Sequence, residues 1–315
     1  MLRKFLLLAG FILLVIQQFV FPVSAQVQFY IFLIGIVLLG VPHGAADLLI
    51  ATQHAVDKKY HFNKLHFFAN YLTRLILFGI IIWLFPLIGN IIFILFAAYH
   101  FGETDLSECK TNSIGGKLFV VSYGLVILGV ILLNHFEEVQ PILQQFNAGF
   151  KYTGFINFVA QNRYTILSTI GLLFFVSTFF YFFTNKPTTQ IRGQFLVQFA
   201  LILFILYNLP MVLGFTFYFI FWHSLLSLRN IIGYLSKNGL FSKGVIVKQI
   251  SLYSVLAMAG IILFGLTGFM FVSNNAMLVY IFIGLAVLTA PHMQIMHNMY
   301  KSLRSNTDVL NKIHQ

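Results

Sequence analysis

Residues 40–50 read "GVPHGAADLLI". They close an apolar run that starts near residue 27 and is long enough to cross a bilayer, yet the run holds Pro42, His43 and Asp47. An imidazole and a carboxylate are expensive in hydrocarbon. Either the run does not span a membrane, or the pair serves a purpose inside one. The rest of the chain decides between these.

Of the 315 residues, 59% are hydrophobic and 9% charged. A soluble domain carries roughly 25% charged residues, so this chain cannot cover itself for water. Apolar runs of about 20 residues recur along its whole length, each able to span ~30 Å of hydrocarbon. The composition therefore describes an all-α, polytopic membrane bundle, with residues 1–315 as one transmembrane domain and no room for a soluble one. A net charge of +11 would suggest nucleic acid in a soluble protein. Here the charges sit in short connections, where the positive-inside rule accounts for them and no nucleic-acid partner is implied. The single Cys109 excludes an internal disulfide and a cysteine-built metal site. The opening segment has a basic start and a small-residue "VSA" end, but its apolar stretch of about 17 residues exceeds the usual signal core, so it reads as a retained first helix.

Ten candidate spans follow, at 5–22, 27–50, 67–85, 88–104, 116–134, 162–183, 194–208, 210–230, 250–272 and 277–298. The connections after the even-numbered spans, with both termini, hold most of the Lys and Arg residues, among them Lys58, Lys59, Lys110, Lys186 and Lys243. The opposite side holds Lys151 and Arg163. That asymmetry places both termini in the cytoplasm and the protein in the cell's inner (plasma) membrane. The longest outer connection, 135–161, contains "HFEEVQP" and reads as an interfacial helix.

Five of the ten histidines, His54, His61, His66, His135 and His314, fall in connections or the tail and read as solvated residues. The other five lie in even-numbered spans, all running in the same direction. His43, His100, His223 and His292 come about 12 to 17 residues from the outer ends, ~18–25 Å deep at 1.5 Å per residue. His297 lies one and a half turns further. One intramembrane histidine often serves only as a helix–helix hydrogen bond. Four in one layer are what a buried metal site requires.

Three of the eight acidic residues follow these histidines closely: Asp47 after His43, and Glu103 and Asp105 after His100 in "YHFGETDL". A carboxylate accepting the second imidazole N–H fixes the tautomer and frees the other nitrogen for a metal. On an ideal helix Asp47 shares a face with His43 and is expected to orient it. Glu103 and Asp105 read either as similar supports or as caps of the helix end. Pro42 frees a backbone carbonyl, and Gly40 and Gly44, spaced G-x-x-x-G, are expected to admit a neighbouring helix. "APHMQIMH" (290–297) repeats the Pro-His pairing.

An all-imidazole site suits Fe, Zn or Cu. The clustered histidine boxes of desaturase-type di-iron enzymes are absent, and every Lys lies in a connection or at a span end, which excludes a retinal Schiff base. Two other readings remain at this point. A b-type haem protein would place histidine pairs at two depths, and a transporter would use the His and Asp residues as a proton relay.

With these residues identified, the sequence resembles the Brp/Blh family of membrane-embedded β-carotene 15,15′-dioxygenases. The matching stretches are "GVPHGAADLL", "YHFGETDL", "FWHSLLSLRN" and "APHMQIMH", spread from the second span to the tenth. The resemblance implies cleavage of the central double bond of β-carotene, or a related carotenoid, with O2 to give two retinals, on a non-haem Fe(II) held by histidines. A retinal-binding protein could then receive the product. By motif the iron histidines carry over to His43, His100 and His223. Carotene-cleaving members carry another histidine four residues after the "WHS" one, and here that position is Ser227. Either His292 completes the set, as its depth suggests, or the site has three histidines. The abundant Phe residues, as in "GFTFYFIFW" (214–222), suit a polyene entering from the bilayer.

Overall fold

A backbone inside hydrocarbon must satisfy its own polar groups, and helices do so within one segment. The computed structural model describes residues 1–146, 152–237, 240–271 and 277–313, and all regular structure among them is helical. Among the described residues, eight helices are long and apolar enough to cross a membrane: α1 (Leu2–Val20), α2 (Ala25–Asp57), α3 (Lys64–Leu84), α4 (Pro86–Asp105), α5 (Ile114–Leu133), α7 (Thr153–Asn185), α8 (Thr189–Asn208) and α9 (Met211–Ser236). The short α6 (Phe136–Phe146) falls where an interfacial helix was expected. The last two expected spans fall on α10 (Lys243–Phe271) and α11 (Met277–Ile313). Residue 272 of the ninth expected span, Lys151 and His314 lie outside the described residues. The chain forms the all-α polytopic bundle that its composition demands.

Several boundaries differ from the expected ones. α7 starts at Thr153, nine residues before 162, which shortens the connection after α5. Arg163, expected on the outer side at the start of the sixth span, lies on α7 and binds Glu137 of α6 at 2.6 Å. His54 and His66, expected in connections, belong to the last turn of α2 and the first of α3. Side-chain caps fix other helix starts: Asn63 accepts from the His66 N–H and Ser113 from the Gly116 N–H.

α5 and α9 form the interior, with two-thirds of their apolar windows (67%) buried, against 11% for α3. The close approaches do not occur at Gly40 and Gly44. A Cβ at Gly44 would meet nothing, and one at Gly40 only Ile36 of its own helix. They occur between α4 and α5, where a Cβ on Gly102 would strike the Val120 carbonyl and one on Gly124 the Ala98 carbonyl. This reciprocal pair lets two backbones touch and fixes α4 against the bundle centre. On α7, by contrast, Phe175, Phe179, Phe180 and Phe183 point outward as an exposed aromatic face.

Two of the site-bearing helices are not ideal. α2 changes to π-helical winding at Ile36–Gly40, resumes as a short α-turn at Val41–Gly44, breaks at Ala45–Ala46 and restarts at Asp47. α9 is π-wound over Thr216–Ser224. Such wide turns are rare and tend to occur at functional sites.

Candidate metal centre

Four helices each bring one imidazole to the same place: His43 on α2, His100 on α4, His223 on α9 and His292 on α11. The ring centroids lie 4.9 Å apart for His43–His292, 5.6 Å for His43–His223, 4.7 Å for His100–His223 and 5.2 Å for His100–His292. All four side chains are buried. The four histidines expected to share one layer thus lie together as a ring of imidazoles. His43, His100 and His223 each bring one ligand atom within 4.8 Å of the other two. Phe219 lies parallel to His223 at 6.0 Å and edge-on to His43 at 6.3 Å, walling one side.

The arrangement fits a metal ion on two grounds. Nε2 of His223 and Nε2 of His100 face each other at 3.1 Å. Neighbouring nitrogens on one ion, at bonds of about 2.1 Å, are separated by about 3.0 Å at right angles and about 3.4 Å at tetrahedral ones. Secondly, Nε2 of His292 is buried with no hydrogen-bond partner, while its Nδ1 is held by Asp47 Oδ1 at 2.7 Å. An unpartnered buried group of this kind costs about 1–3 kcal/mol, and a bound cation would relieve it. A ring with one nitrogen fixed by a carboxylate and the other left open has the posture of a metal ligand.

Asp47 therefore supports a histidine, but not the expected one. The expectation of His43 assumed an uninterrupted helix, and the break at Ala45–Ala46 turns Asp47 away from His43 towards α11. Tyr71 of α3 donates to its other oxygen at 3.2 Å, a partner the sequence did not single out. His292 stands in the ring, whereas Ser227 is buried on the turn that follows His223.

Glu103 and Asp105 contact none of the four imidazoles through the hydrogen bonds described. Glu103 accepts from Tyr99 Oη of its own helix at 3.2 Å and, facing α11, takes His297 Nδ1 at 3.0 Å and the Arg304 guanidinium. This explains His297, which pairs with an acid one turn beyond the ring and does not join it. Asp105 Oδ2 accepts from Tyr123 Oη at 2.8 Å, Tyr218 Oη at 3.0 Å and Trp222 Nε1 at 3.0 Å. Each acid thus joins two helices that carry ring histidines: Asp47 joins α2 to α11, Glu103 joins α4 to α11, and Asp105 joins α4 to α9. Only the polar tips within "TFYFIFWH" (216–223) hinted at the Tyr218 and Trp222 contacts.

A neighbouring cavity of about 410 Å³ is lined by His54, His61, His66, Tyr71 and Arg74, among others, and reaches Pro291. His54 Nδ1 lies 3.2 Å from Ser302 Oγ, and His66 Nε2 lies 2.9 Å from the Asn70 amide nitrogen. His61 is exposed.

The family described as beta-carotene 15,15'-dioxygenase matches residues 34–300, a range that includes all four ring histidines and the three acids. The beta-carotene 15,15'-dioxygenase of uncultured marine bacterium 66A03 is 25% identical over 285 residues, covering 88% of this chain and 95% of that protein. No solved structure matches. With 267 of its 315 residues inside the family match, this chain belongs to the beta-carotene 15,15'-dioxygenase family, a family of oxidoreductases.

Proposed function

We propose that the chain is a single-domain, membrane-embedded non-haem iron dioxygenase that cleaves the central 15,15′ double bond of β-carotene, or a related carotenoid, with O2 to give two retinals. The observation that carries this is the ring of four buried imidazoles, with His292 Nε2 unpartnered and Nε2 of His100 and His223 at 3.1 Å. His43, His100, His223 and His292 would hold Fe(II). When bound, the ion supplies the O2 activation that a spin-paired polyene cannot provide.

The overall reaction joins one carbon–carbon double bond and one O2 into two aldehydes, so no proton enters or leaves. The chain's own part is to hold the ligands, fix the His292 tautomer and exclude water. Asp47, itself held by Tyr71, keeps the His292 proton on Nδ1 and directs Nε2 inward. Phe101 and Phe219 pack their rings against His223 and leave an apolar wall suited to a polyene. An apolar substrate can reach this wall from the bilayer without a soluble domain. The retinal product, equally apolar, could pass to a retinal-binding protein in the same membrane.

Expression in a bacterium that accumulates β-carotene tests the proposal. The account expects the orange colour to fade and retinal to appear in extracts. Unchanged carotene, with the protein present in the membrane, would refute it. For topology we propose an inner-membrane protein with both termini cytoplasmic, on the strength of the Lys and Arg asymmetry. Reporter fusions after residue 151 and after residue 315 should report opposite sides, and a shared side would overturn the orientation.

A further inference from the structure

The π-wound stretch of α9 needs an explanation, because His223 lies on it. Such winding usually lasts a single turn, and here it runs for nine residues, Thr216–Ser224. Something outside the helix's own backbone must hold it in place. Two of its polar-tipped side chains, Tyr218 and Trp222, reach across to α4 and donate to a single atom, Asp105 Oδ2, each at 3.0 Å. Tyr123 of α5 adds a third donor at 2.8 Å. All four side chains are buried. Arg3 of α1 donates to the Asp105 carbonyl at 2.6 Å and secures the end of α4 from the other side.

Asp105 lies five residues after His100, and Trp222 is the residue before His223. The carboxylate therefore bridges the two backbones that carry the closest pair of ring nitrogens.

We infer that Asp105 is a positioning residue: by clasping Tyr218 and Trp222 it sets the register of the π-wound stretch and so holds His223 Nε2 against His100 Nε2. This rests on the four-imidazole reading of the site and adds to it a part for a carboxylate that contacts no imidazole. One carboxylate oxygen that takes three donors in a dry interior ties those side chains to a single point, and such a network holds more firmly than separate pairs. A shift of a few tenths of an ångström along α9 would move His223 directly, whereas His43 and His292 are held by other helices.

The test uses the full-length protein in detergent, freed of iron and titrated with Co(II), whose ligand-field absorption reports the geometry of the nitrogens around it. Three variants are compared with wild type. Asp105→Asn replaces the carboxyl group by an amide of the same shape. Tyr218→Phe deletes one hydroxyl and remains informative if Asp105→Asn does not fold. Ser122→Ala, which breaks a buried 2.6 Å hydroxyl pair between α5 and α7, serves as a stability control. Asp105→Asn and Tyr218→Phe are expected to shift the cobalt bands and to weaken cobalt binding about 10-fold or more, the scale of an outer-shell defect. Ser122→Ala is expected to lower thermal stability and leave the cobalt spectrum unchanged. If Asp105→Asn and Tyr218→Phe bind Co(II) with wild-type affinity and spectrum, the positioning role is refuted while the four-imidazole site stands. If wild type itself binds no Co(II), the four-imidazole reading fails and takes this inference with it.

Discussion

Two groups of histidines lie close together in this protein, and they differ in everything but residue type. In the ring, His43, His100, His223 and His292 come from four helices, are buried, and each keep one ring nitrogen without a hydrogen-bond partner, Nδ1 of the first three and Nε2 of His292. Around the adjoining cavity, His54 and His66 already have a hydroxyl or amide partner, and His61 is exposed. Tyr71 and Asp47 stand between the groups, with Tyr71 lining the cavity and Asp47 gripping His292. A metal site is therefore marked by imidazoles with an unsatisfied nitrogen in a dry setting, where no water can take the metal's place. Three histidines beside this cavity, partnered by a hydroxyl or an amide or exposed, do not meet that description.

The comparison breaks if the two groups respond alike to mutation. The largest effects belong to the ring. Replacing His43, His100 or His223 by Ala should abolish retinal formation and lower bound iron to the background of a metal-free preparation. Retention of cleavage by any of the three would show that the ring is not the reaction site.

Asp47 comes next, because it acts on one ligand through one hydrogen bond. Asp47→Asn keeps an acceptor oxygen for His292 but removes the charge, and should weaken iron binding ~10–100-fold. Asp47→Leu should bind iron more weakly still, since it also leaves the His292 N–H and the Tyr71 hydroxyl unpartnered, at about 1–3 kcal/mol for each such group. Iron titration orders the three proteins; equal affinities would detach Asp47 from the site. The smallest effects belong to the cavity. His61→Ala and His66→Ala should stay within about twofold of wild type in iron affinity and cleavage, because surface changes away from special features are usually within ±0.5 kcal/mol. A tenfold loss of iron affinity in either would extend the metal site into the cavity.

What the sequence revealed and what it hid follow one physical division. Span positions and the shared depth of the four histidines depend on run length and rise per residue, which a linear sequence carries. The partner of Asp47 depends on the break at Ala45–Ala46, and reading it from an i, i+4 spacing assumed an ideal helix. The π-winding of α9, the Asp105 clasp and the Arg304–Glu103 pair depend on contacts between residues more than a hundred apart. Nothing local announces them. The Gly40–Gly44 spacing misled for the same reason: small residues permit a close approach, but only a neighbouring backbone makes one, as Val120 and Ala98 do at Gly102 and Gly124.

His292 decides the central claim, because the family motif places another histidine where this chain has Ser227. The direct measurement is iron per chain in purified wild type and in His292→Ala after loading with Fe(II) and removal of excess. The account predicts about one iron per chain in wild type and a large loss in His292→Ala. Undiminished iron with undiminished retinal formation in His292→Ala would contradict it and leave a three-histidine site.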